Sequence, residues 1–131
     1  MELYQIVINE NQPEQFVVIQ ERSGVRKLPI MIGIFEANAI NMRLKGIAPP
    51  RPFTHDLLVD CLQAMGVRLT KIVIDKIVDQ TFHAKLHLTT AEGRELVVDS
   101  RPSDAIALSV RVQCQIEVAL EVLQRSGIDL P

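Results

Sequence analysis

The feature of this sequence that most constrains its fold is a pattern that recurs after 66 positions. Three separate matches share that offset: Ile6-Val7-Ile8 with Ile72-Val73-Ile74, Phe16 with Phe82, and Ala39-Ile40 with Ala105-Ile106. A constant offset is typical of two copies of one structural unit, here approximately 1–66 and 67–131 of the 131 residues. A chain of this length is large enough to bury one core. We therefore expect a single domain, 1–131, built from two similar halves.

Apolar alternation and turn-forming residues predict the same order of elements, β-β-β-α, in both halves. In the first half, the predicted strands are 3–9, 15–21 and 29–34, and the predicted helices are 36–44 and 54–65. In the second half, the predicted strands are 71–75, 81–88, 95–99 and 115–118, and the predicted helices are 102–112 and 119–125. The expected fold class is α+β, with a mixed or antiparallel sheet packed against helices.

The pattern of side chains predicts what these elements bury. The second strand contains Phe16-Val17-Val18-Ile19, which is apolar on both faces and favours cover on both sides. The helix that begins at Thr54 has an apolar stripe that we expect to face the core, made up of Leu57, Leu58, Cys61, Leu62 and Met65. Gly66 is expected to end that helix, three prolines predict a loop over 46–53, and residues 126–131 are expected to fray.

The charge balance and the cysteines limit the classes of protein to which this chain can belong. The chain has 14 basic and 16 acidic residues and a net charge of −2, whereas tight nucleic-acid binders usually carry a basic excess. This balance argues against a general, tight DNA binder and still allows a local basic groove. No apolar run approaches the ~20 residues that cross a membrane, and no signal peptide opens the chain. Cys61 and Cys114 lack the spacing of a zinc site, so we expect a reduced, cytoplasmic protein with no organic cofactor.

Three blocks of the sequence resemble the bifunctional nuclease family. They are Leu28-Pro29-Ile30-Met31-Ile32-Gly33 with Glu36-Ala37-Asn38-Ala39-Ile40, then Arg51-Pro52-Phe53-Thr54-His55-Asp56-Leu57-Leu58, then Asp99-Ser100-Arg101-Pro102-Ser103-Asp104-Ala105-Ile106-Ala107-Leu108. The blocks cover most of 28–112 in the order and spacing of the family. The resemblance implies nuclease activity on DNA, RNA or both, without pointing to agreed catalytic residues. The run Cys114-Gln115-Ile116-Glu117-Val118 departs from the Pro-Ile-Tyr-Val pattern common among relatives.

For a chain that hydrolyses phosphodiesters, the acidic side chains are the first candidates for the chemistry. Carboxylates that hold Mg²⁺ or Mn²⁺ activate a water molecule and neutralise charge at phosphorus. Asp99 ends a strand and Asp104 opens the following helix, so these two are the candidate metal ligands. The full set of candidate acids and bases is Glu36, His55, Asp56, Asp60, Asp99 and Asp104. The structural alternative is that acids in the first turn of a helix are there because the helix dipole stabilises them.

Basic side chains offer candidates for substrate binding. Arg51 and Arg101 each precede a proline at a turn before a helix, and arginine binds phosphate or a neighbouring carboxylate equally well. On the predicted strand 81–88, His83, Lys85 and His87 alternate with apolar residues, which places them on one face. That row could contact a phosphate backbone or simply face water.

The corresponding row in the first half is Val17, Ile19 and Glu21. An apolar face without cover from its own chain is typical of a subunit interface, so we expect a homodimer or a higher homo-oligomer.

Two functions remain open at this point. One is a metal-assisted nuclease that acts on nucleic acid, and the other is a non-enzymatic oligomeric binding or regulatory module whose charged residues hold turns and helix ends. The scarcity of aromatic side chains for base stacking, 4% of the residues, favours the second function.

Overall fold

The computed structural model of the chain describes residues 2–7, 14–21, 26–47, 51, 53–79, 81–126 and 128–129. Eight strands and four helices lie within these ranges. The strands are β1 (Glu2–Val7), β2 (Glu14–Gln20), β3 (Arg26–Gly33), β4 (Arg68–Val78), β5 (Thr81–Thr89), β6 (Glu95–Ser100), β7 (Gln115–Val118) and β8 (Ile128–Asp129). The helices are α1 (Ile34–Leu44), α2 (Thr54–Ala64), α3 (Pro102–Val112) and α4 (Leu120–Ser126).

The strands form two four-stranded sheets, so the expected α+β class is confirmed. The first sheet has the order β1-β2-β3-β8, with antiparallel neighbours throughout. The second sheet has the order β6-β5-β4-β7, in which β7 runs parallel to β4 and the other neighbours are antiparallel. Three antiparallel strands followed by a helix therefore occur in each half of the chain. A duplication behind this order stays a prediction.

Helix α3 lies at the centre of the core, because its sequence is apolar or small on nearly every side. Its buried residues are Pro102, Ser103, Ala105, Ile106, Ala107, Leu108 and Ser109. The helix contacts α1 and α2 as well as strands of both sheets, and one continuous apolar cluster includes residues of both sheets. Burying this much apolar surface is the main force that holds the two halves together. The start of α3 is thereby fixed relative to the starts of α1 and α2.

The prediction of an inward stripe on α2 was mostly wrong. Leu57, Leu58 and Met65 are 56%, 42% and 67% exposed, and Cys61 is exposed as well. Of that stripe only Leu62 packs against the core. Helix α2 contacts α3 and β4, and most of its apolar stripe is exposed in the part of the chain that the structure describes. The predicted end of the helix is confirmed, since Gly66 follows it with a φ of +72°, which favours glycine.

Two expectations about the first sheet also require correction. Strand β2 is covered on one face only, because Val17 and Ile19 are fully buried whereas Phe16 on the other face is 42% exposed. The two apolar residues expected to form an uncovered interface, Val17 and Ile19, are thus inside the core, and the homodimer loses that argument. Residues 128–129, expected to fray, form β8 and pair with β3. The predicted strand residues 8–9, residues 48–50 and 52 of the predicted loop 46–53, and residues 127 and 130–131 lie outside the described ranges.

The polar row on β5 is confirmed. Ala84, Leu86 and Leu88 face the core, and His83, Lys85 and His87 lie on the opposite, half-exposed face. Within the described part of the chain, none of the helices has the length and apolar character that crossing a membrane requires.

Candidate active site

Arg101 is the centre of the candidate site and lies where β6 ends and α3 begins. Its backbone is extended, and Pro102 starts the helix, where the missing N–H of proline costs nothing. The side chain turns back over the first turn of α3. Its Nε donates a hydrogen bond of 2.9 Å to Oδ2 of Asp104, and its Nη2 lies 3.2 Å from Oδ1 of the same carboxylate. Asp104 thus fixes the plane of the guanidinium.

The same guanidinium binds a second carboxylate, from α1. Nη2 of Arg101 donates a hydrogen bond of 2.9 Å to Oε1 of Glu36, whose side chain is only 17% exposed. Gly33, the residue before α1, makes room for this arrangement. A Cβ at Gly33 would collide with Oε2 of Glu36, so any larger residue there would push the carboxylate away from its present position.

His55 completes the cluster from α2. Its Nε2 lies 2.9 Å from Oδ1 of Asp104, and its ring is only 14% exposed. Burial alone raises the pKa of Asp104, but the hydrogen bonds from Arg101 and His55 and their positive charge outweigh burial and lower that pKa below its ordinary value. The carboxylate is therefore ionised at neutral pH and able to orient the imidazole. Asp104 also raises the pKa of Arg101, with a smaller contribution from Glu36.

These side chains line an open cavity of about 780 Å³. Its lining residues are Phe35, Glu36, Asn38, Ala39, Met42, Phe53, Thr54, His55, Arg101 and Asp104. Glu36, His55 and Asp104 each belong to the first turn of a different helix, so the N-termini of α1, α2 and α3 meet at this cavity. Backbone N–H groups at helix N-termini carry partial positive charge, which favours a bound anion.

Asp56 does not line the cavity, although it follows His55 directly. Its Oδ1 lies 2.6 Å from Nε of Arg111 on α3, and its Oδ2 accepts a 3.1 Å hydrogen bond from the backbone N–H of Phe53. Although burial opposes it, the bonds to Arg111 and Phe53 lower the pKa of Asp56 below its ordinary value. Arg111 is 6% exposed, so this pair joins α2 to α3 within the protein rather than facing a ligand.

Asp99 also lies apart from the cavity. Its Oδ1 is 2.8 Å from Nζ of Lys85 on the neighbouring strand, and its side chain is 72% exposed. The hydrogen bond and charge of Lys85 lower the pKa of Asp99. Lys85 also lies 3.5 Å from Oδ2 of Asp75, which makes these three residues a separate surface network. Asp60 and Arg51 are exposed and are not among the residues that line the cavity.

The two predicted metal ligands, Asp99 and Asp104, are not brought together in this structure. Mg²⁺ and Mn²⁺ bind several oxygen ligands in one shell. No group of three or more His, Cys, Asp and Glu residues in the described ranges is arranged to hold a metal ion. The predicted ligands Asp99 and Asp104 bond to Lys85 and Arg101, in separate clusters. The cation between Glu36 and Asp104 is therefore a guanidinium.

The structure brings the sequence candidates Glu36, His55, Arg101 and Asp104 together at one cavity, and sequence reasoning did not single out the aromatic residues beside them. Phe35 and Phe53 both line the cavity. Each stands within two residues of a candidate in the sequence, Phe35 directly before Glu36 and Phe53 two before His55. That proximity was the available signal.

The fold and the cavity define an α+β domain in which three helix N-termini surround a histidine–aspartate pair and an exposed arginine. The chain belongs to the bifunctional nuclease domain family, whose model matches residues 17–131. The resemblance found in the three sequence blocks is thus confirmed.

Some relatives of this chain have names that state a function, and others do not. Proteins named as uncharacterized in two strains of Mycobacterium tuberculosis are 37% identical over 126 residues, which cover 96% of this chain and 74% of theirs. A protein named bifunctional nuclease 2, from Oryza sativa subsp. japonica, is 25% identical over 124 residues. The match covers 92% of this chain and 38% of the rice protein, so the chain spans well under half the length of that relative.

Proposed function

We propose that this protein is a nuclease that hydrolyses phosphodiester bonds of DNA, RNA or both at the cavity around Arg101. The observation that carries the proposal is the 2.9 Å contact between Nε2 of His55 and Oδ1 of Asp104 beside that arginine. A histidine oriented by an ionised carboxylate is suited to proton transfer. Membership of the family and the names of the plant relatives support a nuclease over other hydrolases.

In the proposed reaction, His55 acts as the general base. When Nε2 carries the proton and donates to Asp104, the lone pair of Nδ1 is free to accept a proton from an attacking water molecule. The water oxygen forms a bond to phosphorus, the bond to the leaving oxygen breaks, and that oxygen takes up a proton. Asp104 stabilises the imidazolium that forms, as the carboxylate of a catalytic triad does.

Arg101 is proposed to bind the phosphate. Its side chain is 66% exposed, and its Nη1 has no acceptor among the described residues, so donors remain for a non-bridging oxygen. The N-termini of three helices add partial positive charge at the same place. Together these groups favour the extra negative charge of the pentacoordinate transition state. Dependence on Mg²⁺ or Mn²⁺ stays a prediction, and no step of this scheme passes through a metal.

The test is a cleavage assay on single-stranded DNA, double-stranded DNA and RNA, each with Mg²⁺, with Mn²⁺ and with EDTA. We expect His55→Asn to lower the rate by about 10²–10⁴-fold, which is the usual contribution of a general base. Asp104→Asn should lower the rate because the neutral amide cannot stabilise an imidazolium. Asp99→Asn, in the separate surface network, is the matched control and should retain the rate of the unmodified protein.

Two results would contradict this assignment. Full activity in the His55→Asn protein would exclude the proposed base, and loss of activity in Asp99→Asn would move the site to the Lys85 network. The non-enzymatic binding module is the second candidate, and the pairing of Glu36, Asp56, Asp99 and Asp104 with basic side chains favours it. Binding of nucleic acid without cleavage under every metal condition would support that module.

We also propose that the protein forms a homodimer through the exposed stripe of α2. Leu57, Leu58, Cys61 and Met65 form an apolar surface of the kind that subunit interfaces bury. Leu57→Glu should then convert a dimer into a monomer in sedimentation velocity, because the interface would bury a charge. Leu120→Glu is the control, since Leu120 is 61% exposed on α4 and away from the stripe. A monomer at micromolar concentration in the unmodified protein would refute the dimer.

A further inference from the structure

All four phenylalanines of the chain lie around Arg101, although aromatic residues are scarce in this sequence. Phe35 and Phe53 line the cavity that contains His55 and Asp104. Phe16 and Phe82 line a second cavity, of about 520 Å³, which Arg101 also lines. Arg101 is the residue that the two cavities share.

Three of the four rings are accessible, whereas Phe82 is half-buried and packs against the core. Phe35 is 84% exposed, and Phe16 and Phe53 are each 42% exposed. A single exposed apolar residue is ordinary, but three exposed phenylalanines lining two cavities that share one arginine are more than the core needs. Phe35 in particular adds little to the core, so its position at the rim of the cavity points to contact with a ligand.

The second cavity, like the first, has a largely apolar lining with a few polar groups. It is lined by Phe16, Pro29, Met31 and Phe82 along the two sheets, with Thr81 and Ser103 as polar neighbours. Glu36 lines the first cavity, and Arg101, which lines both cavities, is paired with Glu36 at 2.9 Å. A ligand that extends from one cavity to the other past Arg101 would meet aromatic rings, then a guanidinium, then aromatic rings again.

We propose that the two cavities bind consecutive bases of single-stranded nucleic acid, with the phosphate between them on Arg101. This proposal rests on the proposed function, since it takes Arg101 as the phosphate ligand. It adds that the substrate is single-stranded. Aromatic rings and a basic group are the common elements of sites that bind single strands without reading sequence. Bases within a duplex are stacked on one another, so their faces cannot reach the phenylalanines unless the strands separate.

The charge of the protein supports the same conclusion. With 14 basic and 16 acidic residues, the chain has no excess of cations to neutralise phosphates along a duplex. Stacking must then supply a large share of the affinity. Because the salt dependence of single-strand binding has a slope of about −0.7 per phosphate contact, we expect a slope no steeper than about −1.5.

The experiment measures binding rather than cleavage. A fluorescein-labelled oligo(dT), a hairpin duplex of the same length and an abasic oligonucleotide are titrated with the full chain in EDTA at low temperature, with anisotropy as the signal and a gel to confirm intact probe. Phe16→Leu and Phe35→Leu each test one cavity, because leucine keeps the apolar bulk and removes the flat ring. Leu120→Ala is the control at an exposed apolar site elsewhere, and circular dichroism confirms that each variant is folded.

We expect oligo(dT) to bind more tightly than the duplex or the abasic strand, and each leucine variant to bind oligo(dT) about 5- to 100-fold more weakly, in line with the loss of one stacked base. Leu120→Ala should bind normally. Equal affinity for the single strand and the duplex, or normal binding by both leucine variants, would overturn the proposal. Selective single-strand binding without cleavage under any metal condition would refute the nuclease and leave this inference standing.

Discussion

Removal of the Asp56 carboxylate should destabilise the protein while leaving the cavity side chains in place. Asp56→Ala deletes the acceptor for Nε of Arg111 at 2.6 Å and the acceptor for the Phe53 N–H at 3.1 Å. A hydrogen bond between charged groups contributes about 1.5–3 kcal/mol, and a helix N-terminal bond contributes about 0.5–1.5 kcal/mol. Since Asp56 is 25% exposed, solvent screening reduces the first of these. We expect a net loss of about 2–4 kcal/mol.

The expected loss of unfolding free energy is large because the substitution leaves Arg111 without its partner. Arg111 is 6% exposed and cannot move fully into water, so without Asp56 its charge loses its main counterion. Urea unfolding followed by far-ultraviolet circular dichroism measures the change, since the chain has no tryptophan. With an m-value of about 2 kcal/mol per molar urea, the midpoint should fall by roughly 1–2 M.

Asp60→Ala is the control on the same helix, because Asp60 is exposed and one turn away. Its effect should stay within about 0.5 kcal/mol, as for most surface substitutions. The difference between the unmodified protein and Asp56→Ala should also depend on pH. Because folding lowers the pKa of Asp56, its stabilisation is complete above the unfolded value of about 3.9 and disappears as the pH falls through the folded value. Equal midpoints for the two alanine variants at pH 7 would refute this reasoning.

Two further predictions test the packing around the site and in the core. Gly33→Ala should cost less than about 1 kcal/mol, because the colliding atom is the mobile end of Glu36, yet it should shift the Nη2–H signals of Arg101 in a ¹H–¹⁵N NMR spectrum as the carboxylate moves away. An unchanged Arg101 signal would contradict the role given to Gly33. Ile106→Ala, at a fully buried position of α3, should lower the unfolding free energy by about 2–5 kcal/mol, whereas Leu58→Ala, at a 42% exposed position, should cost clearly less in the same urea experiment.

Local sequence patterns correctly predicted the helices and strands whose formation depends mainly on residues close together in the chain. The bounds of α3 matched the prediction because Pro102 opens the helix and an almost uninterrupted run of apolar and small residues follows it. Alternation along β5 likewise placed Lys85 on the outer face. The apolar stripe of α2 led to a wrong prediction of burial, because Leu57 and Leu58 show only that one face of the helix is apolar. Periodicity carries no information on whether the rest of the chain covers that face.

The sequence by itself determined the class of fold, the membership of the family and the residue types that the site has available. Only the tertiary structure decided which of those residues meet. Glu36, His55 and Asp104 lie together because α1, α2 and α3 start at one place. Asp56 instead forms an ion pair with Arg111, and Asp99 forms one with Lys85. The physical reason is that an ion pair depends on a distance of a few ångströms between atoms far apart in the chain, and the packing of the whole core sets that distance.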